Sequence, residues 1–264
     1  MPTMLNKITN NKNHSAINSR TFAIGDIHCH HLELFNLIYA IAPSKDDTLI
    51  FLGDYVDRGP DSKAVIDEII ALQGVCQVIM LKGNHEVFMV NALTTENLKD
   101  RHNSTNSWMQ YGGIETLQSY GLVPYEFLAQ QLLSDKPTAN LNIPNAIRKH
   151  IGLIQTLPLY HITDTHIFVH ASPKLDIDIE DQDEEYLLWR KVSKRDAALN
   201  YVHKSGKTII CGHTDQEDGM PEKLSNKNIV IDSGCYKTGW LTAIDVESGQ
   251  FIQASRDCYR WLDV

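Results

Sequence analysis

Several things are scarce in this sequence, and each scarcity closes a route. No stretch approaches the run of about eighteen apolar residues that a membrane-spanning helix needs, so no membrane partner is expected. The first twenty residues are rich in Asn, Lys and Ser and have no apolar centre, so they do not read as a secretory leader. CxxC pairs are missing. The five cysteines, Cys29, Cys76, Cys211, Cys235 and Cys258, are odd in number and scattered, which argues for reduced thiols and the cytoplasm and against structural zinc. Positive charge is also short: 24 Lys and Arg against 33 Asp and Glu leave a net charge of −9, and no nucleic-acid partner is expected. The densest acidic stretch, Asp176 to Glu185, reads as a solvated loop.

What is present is an alternation of elements. Phe22–Ile24 reads as a strand, and Leu32, Phe35, Leu37, Ile38 and Ile41 recur at helical spacing, so 31–42 is a helix closed by Pro43. Leu49–Leu52 is a second strand. Pro60-Asp61-Ser62 opens a helix whose inner face carries Val65, Ile66, Ile69, Ile70 and Leu72. Val75–Leu81 is a third strand, with a helix after Asn84, which makes a βαβαβ unit. From 94 to 163 apolar residues thin out, the mark of a mainly helical cap or insertion. Ile167–Val169, Thr208–Cys211, Ile229–Ile231, Trp240–Val246 and Phe251–Ala254 then read as strands, with a turn at Glu247-Ser248-Gly249. Residues 1–19 are expected to be a flexible tail and 20–264 a single domain, for which 42% hydrophobic residues suffice.

Five apolar runs each end in a side chain able to bind metal. Phe22–Ile24 leads to Asp26 and His28, Leu49–Leu52 to Asp54, Val78–Leu81 to Asn84, Ile167–Val169 to His170, and Thr208–Cys211 to His213. Sites in open α/β sheets lie beyond the carboxyl ends of the strands, so five strands in one sheet system would bring these groups together. In an extended segment Asp26 and His28, two residues apart, would point the same way. Carboxylates suit hard cations and imidazole suits manganese, iron, cobalt or zinc.

The blocks Gly25-Asp26-Ile27-His28, Gly53 to Gly59 (GDYVDRG) and Gly83-Asn84-His85-Glu86, followed by His170 and Gly212-His213, resemble those of the calcineurin-like metallophosphoesterases. Asp57-Arg58-Gly59 and Glu86 resemble the phosphoprotein phosphatase branch in its compact bacterial and phage form. Trp108, Gly112, Gly113 and Thr116 resemble a block of its bacterial members. The resemblance runs from about Arg20 to the C-terminus. It implies an α/β fold, a β-sandwich flanked by helices with a mainly helical insertion.

It also implies roles. Asp26 and His28 would bind one divalent metal ion, Asn84, His170 and His213 a second, and Asp54 both. Manganese is the first choice of metal, with iron or zinc as alternatives, and a hydroxide shared by the ions would be the nucleophile. His85 would protonate the leaving group with Asp57 orienting its ring, and Arg58 would fork onto phosphate. Arg190 resembles a second phosphate-binding arginine, and reads equally as a surface arginine. Tyr236 sits where the family often has an aromatic near the cleft, and reads equally as packing. Cys29 stands where the family usually has Gly. Its plainest reading is a small residue in ordinary backbone, the sharper one a thiol whose oxidation would inhibit turnover.

The function implied is a phosphomonoester hydrolase, foremost a serine/threonine protein phosphatase acting on a phosphoprotein or phosphopeptide. The alternative is a symmetrical bis(5'-nucleosyl)-tetraphosphatase. Such enzymes often lack the acid-orienting Asp and carry GNHD, so Asp57 and Glu86 favour the phosphatase. A nuclease or cyclic-nucleotide phosphodiesterase is disfavoured by the acidic charge, and a non-catalytic module by six intact ligand positions.

Overall fold

The computed structural model describes residues 19–133, 143–192 and 202–262. Apart from Ser19, the tail expected at the N-terminus lies outside them. The βαβαβ unit comprises β1 (Thr21–Ile24), α1 (His31–Ile41), β2 (Thr48–Phe51), α2 (Ser62–Leu72), β3 (Gln77–Met80) and then α3 (Asn84–Thr94). Its strands are parallel, with Ile24 beside Phe51 and Phe51 beside Met80, so all three end at one level. Segment 94–163 contains α4 (Leu98–Gln110), α5 (Gly113–Ser119), α6 (Pro124–Leu133), α7 (Asn145–Gln155) and the short β4 (Tyr160–Ile162). The remainder supplies β5 (His166–Val169), α8 (Glu184–Trp189), β6 (Thr208–Cys211), β7 (Glu222–Ser225), β8 (Asn228–Val230), α9 (Cys235–Thr238), β9 (Leu241–Asp245), β10 (Phe251–Ala254) and β11 (Tyr259–Leu262).

Two sheets stack face to face. One runs β11-β10-β9-β1-β2-β3 and the other β4-β5-β6-β8-β7. The five ligand-bearing strand ends therefore come from two sheets rather than from one. Period-two alternation builds the layers. Ala23, Ile50 and Leu52 of the first sheet meet Phe168, Ile210 and Ile229 of the second in the central core. Phe22, Ile24, Leu49 and Phe51 face outward under α1 and α2, and Ile167, Val169, Ile209 and Cys211 form the outer core of the second sheet. Trp108, Leu117, Phe127, Ile147 and Ile154 from the insertion join the first outer core. Ile70, expected on the inner face of α2, is 37% exposed, while Val65, Ile66, Ile69 and Leu72 fill that face. All five cysteines are unpaired. No helix among the described residues is long and apolar enough to cross a membrane.

One carboxylate fastens the site end of this scaffold. Glu86, wholly buried in the first turn of α3, accepts the N–H of Gly83 at 2.9 Å and of Asp54 at 2.8 Å on Oε2. Its Oε1 accepts those of Tyr55 at 2.8 Å and Val56 at 3.4 Å. The loop after β2 is thereby tied to the N-terminus of α3. Gly83 permits the approach, since a Cβ there would stand 2.2 Å from Asp54 Oδ1. Glu86→Ala leaves these buried donors without their acceptor, at about 1–3 kcal/mol for each. Its denaturation midpoint in urea is expected to fall markedly, and Glu86→Gln, which keeps one acceptor oxygen, should fall less. An unchanged midpoint for the alanine variant would show that the loop does not depend on this clamp.

Candidate metal centre

Beyond β1 the chain leaves extended geometry. Ile27 and His28 both donate to the Asp54 carbonyl, at 3.2 and 2.8 Å, and His28 has a φ of +45°. Asp26 and His28 therefore reach one cavity by a turn, not by the alternation of a strand. Asp54, Asp57, Arg58 and His213 also take positive φ values, from +53° to +71°. Non-glycine residues with positive φ collect at this end of the sheets, as strained backbone does at functional sites.

Asp54 lies at the centre. Its Oδ2 stands 3.5 Å from His28 Nε2 and 3.9 Å from His85 Nε2, while Oδ1 stands 3.5 Å from His170 Nε2. The two oxygens thus face different imidazoles. Ligand atoms of His28, Asp54 and His85 form one close group, and those of Asp54, His170 and His213 another. Asp26 lies at the wall of the same cavity, of about 140 Å³, where both carboxylate oxygens accept the His213 N–H at 3.2 and 3.1 Å. Asn84 lines it too.

The donor set fits divalent cations. A carbonyl can only accept, so His28 Nδ1 donates to Val56 O and His170 Nδ1 donates to Leu52 O, which leaves Nε2 of each neutral ring bearing a lone pair. His213 is fixed the other way: Nε2 donates to Trp189 O and Nδ1 is left to ligate. Asn84 Oδ1 lies 2.9 Å from the bare His170 Nε2, two acceptors face to face, an arrangement that a shared cation satisfies. Burial lowers the pKa of His28, His170 and His213, the last to about 4, and so favours the neutral, ligating form. Burial would raise the Asp54 carboxyl, but His170, His85 and His28 hold it below the usual carboxylate range. Burial, with the Asp232 and Asp54 charges, pushes Asp26 well up. Carboxylates crowded beside neutral imidazoles make a cation-binding environment.

A second group stands beside this set. His85 Nδ1 donates to Asp57 Oδ2 at 2.8 Å. Asp57 Oδ1 accepts from Trp108 Nε1 at 2.8 Å and Thr116 Oγ1 at 2.7 Å. Burial raises the Asp57 carboxyl, with the bonds from His85, Thr116 and Trp108 opposing it. Burial would lower His85, yet Asp54 and the bonded Asp57 raise it overall. Arg58 Nη1 donates to His28 Nε2 at 3.1 Å, and its guanidinium lies 4.2 Å over the Tyr236 ring, so Tyr236 lines the cavity and also packs. Gly112, at φ +107°, backs this loop: its carbonyl takes the Arg58 N–H, and a Cβ there would lie 2.3 Å from Arg58 N. Arg190 turns elsewhere, donating to Ser172 Oγ at 2.8 Å and Pro173 O at 3.2 Å.

Cys29 corrects an expectation. Its φ is +65°, not ordinary backbone, which is why glycine suits the position. The thiol is fully buried against Ser62 Oγ at 2.7 Å, and burial pushes its pKa well up, so it is a protonated packing group sheltered from oxidation. Sequence reasoning missed Asp232, Lys191, Asp215 and Lys237, all lining the cavity. Asp232 carried a signal, because it follows the apolar run Ile229–Ile231 just as the recognised ligands follow theirs. Asp215, bonded to both lysines, carried none.

The family model of calcineurin-like phosphoesterases matches residues 19–228. The asymmetrical bis(5'-nucleosyl)-tetraphosphatase of Oceanobacillus iheyensis is 26% identical over 242 residues, 88% of this chain and 90% of that one. The symmetrical bis(5'-nucleosyl)-tetraphosphatase of Nitrosomonas europaea is 38% identical over 88 residues, but the match spans only 32% of this chain and 31% of that one. A protein serine/threonine phosphatase from Saccharomyces cerevisiae superposes with a TM-score of 0.54 at 16% identity, covering 96% of this chain and 82% of that one, a likeness of fold.

Because each Asp54 oxygen faces a different set of imidazoles, Asp54→Asn is expected to lower metal content and turnover together, and by more than loss of any one of His28, Asn84, His170 or His213. Elemental analysis of purified variants beside steady-state rates checks this. Full metal retention with near-normal turnover would remove Asp54 from the bridging position.

Proposed function

This chain belongs to the calcineurin-like phosphoesterase family, and from that premise we propose that it is a metal-dependent phosphomonoester hydrolase acting on protein phosphoserine and phosphothreonine. The observation that carries the reading is the His85–Asp57 pair, 2.8 Å apart and outside the proposed ligand set of Asp26, His28, Asp54, Asn84, His170 and His213. Two divalent cations held by that set, manganese first, would activate water and polarise the phosphoryl oxygens. The chain's own residues supply the rest. Arg58, braced on Tyr236, holds phosphate oxygens with its fork of donors. His85, its Nδ1 proton on Asp57, presents Nε2 to the oxygen that leaves. Trp108 and Thr116 keep Asp57 in the orientation that serves it. A serine alkoxide departs poorly without a proton, so an anchored acid is the feature that a phosphoserine phosphatase requires.

A second reading, hydrolysis of a bis(5'-nucleosyl) tetraphosphate, is favoured by Lys191 and Lys237 at the cavity, cations suited to a polyphosphate chain. The relative matched over most of the chain carries that kind of name. Matched assays on phosphopeptides and diadenosine tetraphosphate with one preparation separate the two readings.

General acid catalysis contributes roughly 10²–10⁴-fold. His85→Asn is expected to lose that much on a phosphoserine peptide and far less on nitrophenyl phosphate, whose leaving group needs little protonation. Asp57→Asn should show the same dependence more weakly, and metal content should survive both changes. Equal losses on the two substrates, with phosphoryl transfer limiting for both, would remove His85 from the acid role.

A further inference from the structure

His85 stands between the cavity and three aromatic rings that the reaction above does not use. Phe88, three residues further along α3, stacks on Tyr111 with centroids 4.7 Å apart and planes 13° from parallel. Trp189, at the end of α8, meets Phe88 edge-on at 5.0 Å. The His85 ring touches the pair almost perpendicularly, 5.8 Å from Phe88 and 6.4 Å from Tyr111. The cluster is built from three separate elements, yet it is not core. Tyr111 is 47% exposed and Trp189 38%, whereas Trp108 and Phe127 nearby are buried. Tyr111 also precedes Gly112, whose carbonyl fixes the Arg58 backbone, so the aromatic wall and the phosphate-binding arginine share one support.

The position of the wall defines what it can receive. A leaving oxygen must come within about 3 Å of His85 Nε2 to take its proton. Whatever is bonded to that oxygen then lies beside His85, next to the rings His85 touches. A serine presents a methylene there. The base of a nucleoside phosphate is held a ribose away. A phenyl ring bonded directly to the oxygen lies against the wall, and aromatic rings favour stacked or edge-to-face contacts at such separations.

We propose that Tyr111, Phe88 and Trp189 form the leaving-group subsite and that it selects an aromatic ring bonded to the phosphate, making protein phosphotyrosine a substrate of the same site beside phosphoserine. This rests on the phosphatase reading. In the reaction the P–O bond to the phenol breaks, the oxygen of water takes its place on phosphorus, and the His85 proton passes to the departing phenolate oxygen.

The test is kcat/KM for two peptides identical except for phosphotyrosine or phosphoserine, with nitrophenyl phosphate and diadenosine tetraphosphate alongside. The wild type is compared with Tyr111→Ala, Tyr111→Phe and Trp189→Leu, all checked for unchanged melting. An aromatic contact of about 0.5–1.5 kcal/mol predicts that Tyr111→Ala lowers the phosphotyrosine-to-phosphoserine ratio by about 2- to 12-fold. The loss should lie chiefly in KM, because stacking is made in both ground and transition states. Tyr111→Phe, which keeps the stack, should restore the ratio, and Trp189→Leu should lower it. An unchanged ratio in folded Tyr111→Ala overturns the subsite and leaves the phosphatase reading standing. Hydrolysis of nitrophenyl phosphate without the phosphotyrosine peptide overturns the protein substrate. Hydrolysis of diadenosine tetraphosphate alone overturns the phosphatase reading, and the subsite with it.

Discussion

Five carboxylates are buried at one end of two stacked sheets: Asp26, Asp54, Asp57, Glu86 and Asp232, none more than 3% exposed. Burying a charge is costly unless donors or cations compensate it, so each acid's surroundings state its use. Glu86 is satisfied by backbone N–H groups and Asp57 by His85, Trp108 and Thr116. These two are closed within the protein and act by holding other groups in place. Asp26, Asp54 and Asp232 face the cavity instead. Burial raises Asp232 to about 7, and its neighbours Asp215 and Asp54 add to that. Crowding of this kind makes the cavity a place for positive charge.

Local blocks of sequence revealed much of this arrangement because each ligand follows its own strand. Asp26, Asp54, Asn84, His170 and His213 were legible as the endings of apolar runs, and the runs became β1, β2, β3, β5 and β6 with shifts of a residue or two. The division into two sheets was not legible, because pairing across long separations leaves no trace in a single sequence. His170 reaching Leu52 O, 118 positions away, is such a contact. β7 and β11 were missed for a different reason. Glu222–Ser225 and Tyr259–Leu262 are edge strands, largely exposed, so neither carries the buried apolar face that marks a strand. The left-handed backbone at Cys29 was hidden because the residue there is not glycine.

That backbone shows how strain and support are distributed. His28, Cys29, Asp54, Asp57 and Arg58 all hold φ above +40°, a conformation that non-glycine residues resist. Each is overdetermined by a tie to another segment. Asp54 N is held by Glu86, Asp57 N by Thr116 Oγ1 at 2.9 Å, Arg58 N by Gly112 O, and His28 N by Asp54 O. The site is thus set before any ligand arrives, which is what electrostatic preorganisation demands.

The ties also divide the chemistry between two parts of the chain. All six proposed ligands come from the ends of core strands. The groups that govern departure of the product lean on the helical insertion: Trp108 and Thr116 on Asp57, Gly112 on the Arg58 backbone, Tyr111 beside His85. Within α4, the turn after it and α5, nine positions from 108 to 116 thus reach the acid, its carboxylate partner and the phosphate hook. Changes in this stretch can alter which leaving group is accepted while the ligand cage stays intact. Changes in the strand ends cannot, because Asp54 belongs to the cage and its backbone carbonyl also fixes His28. The sheets hold the groups that govern attack on phosphorus, and the insertion holds those that govern what departs.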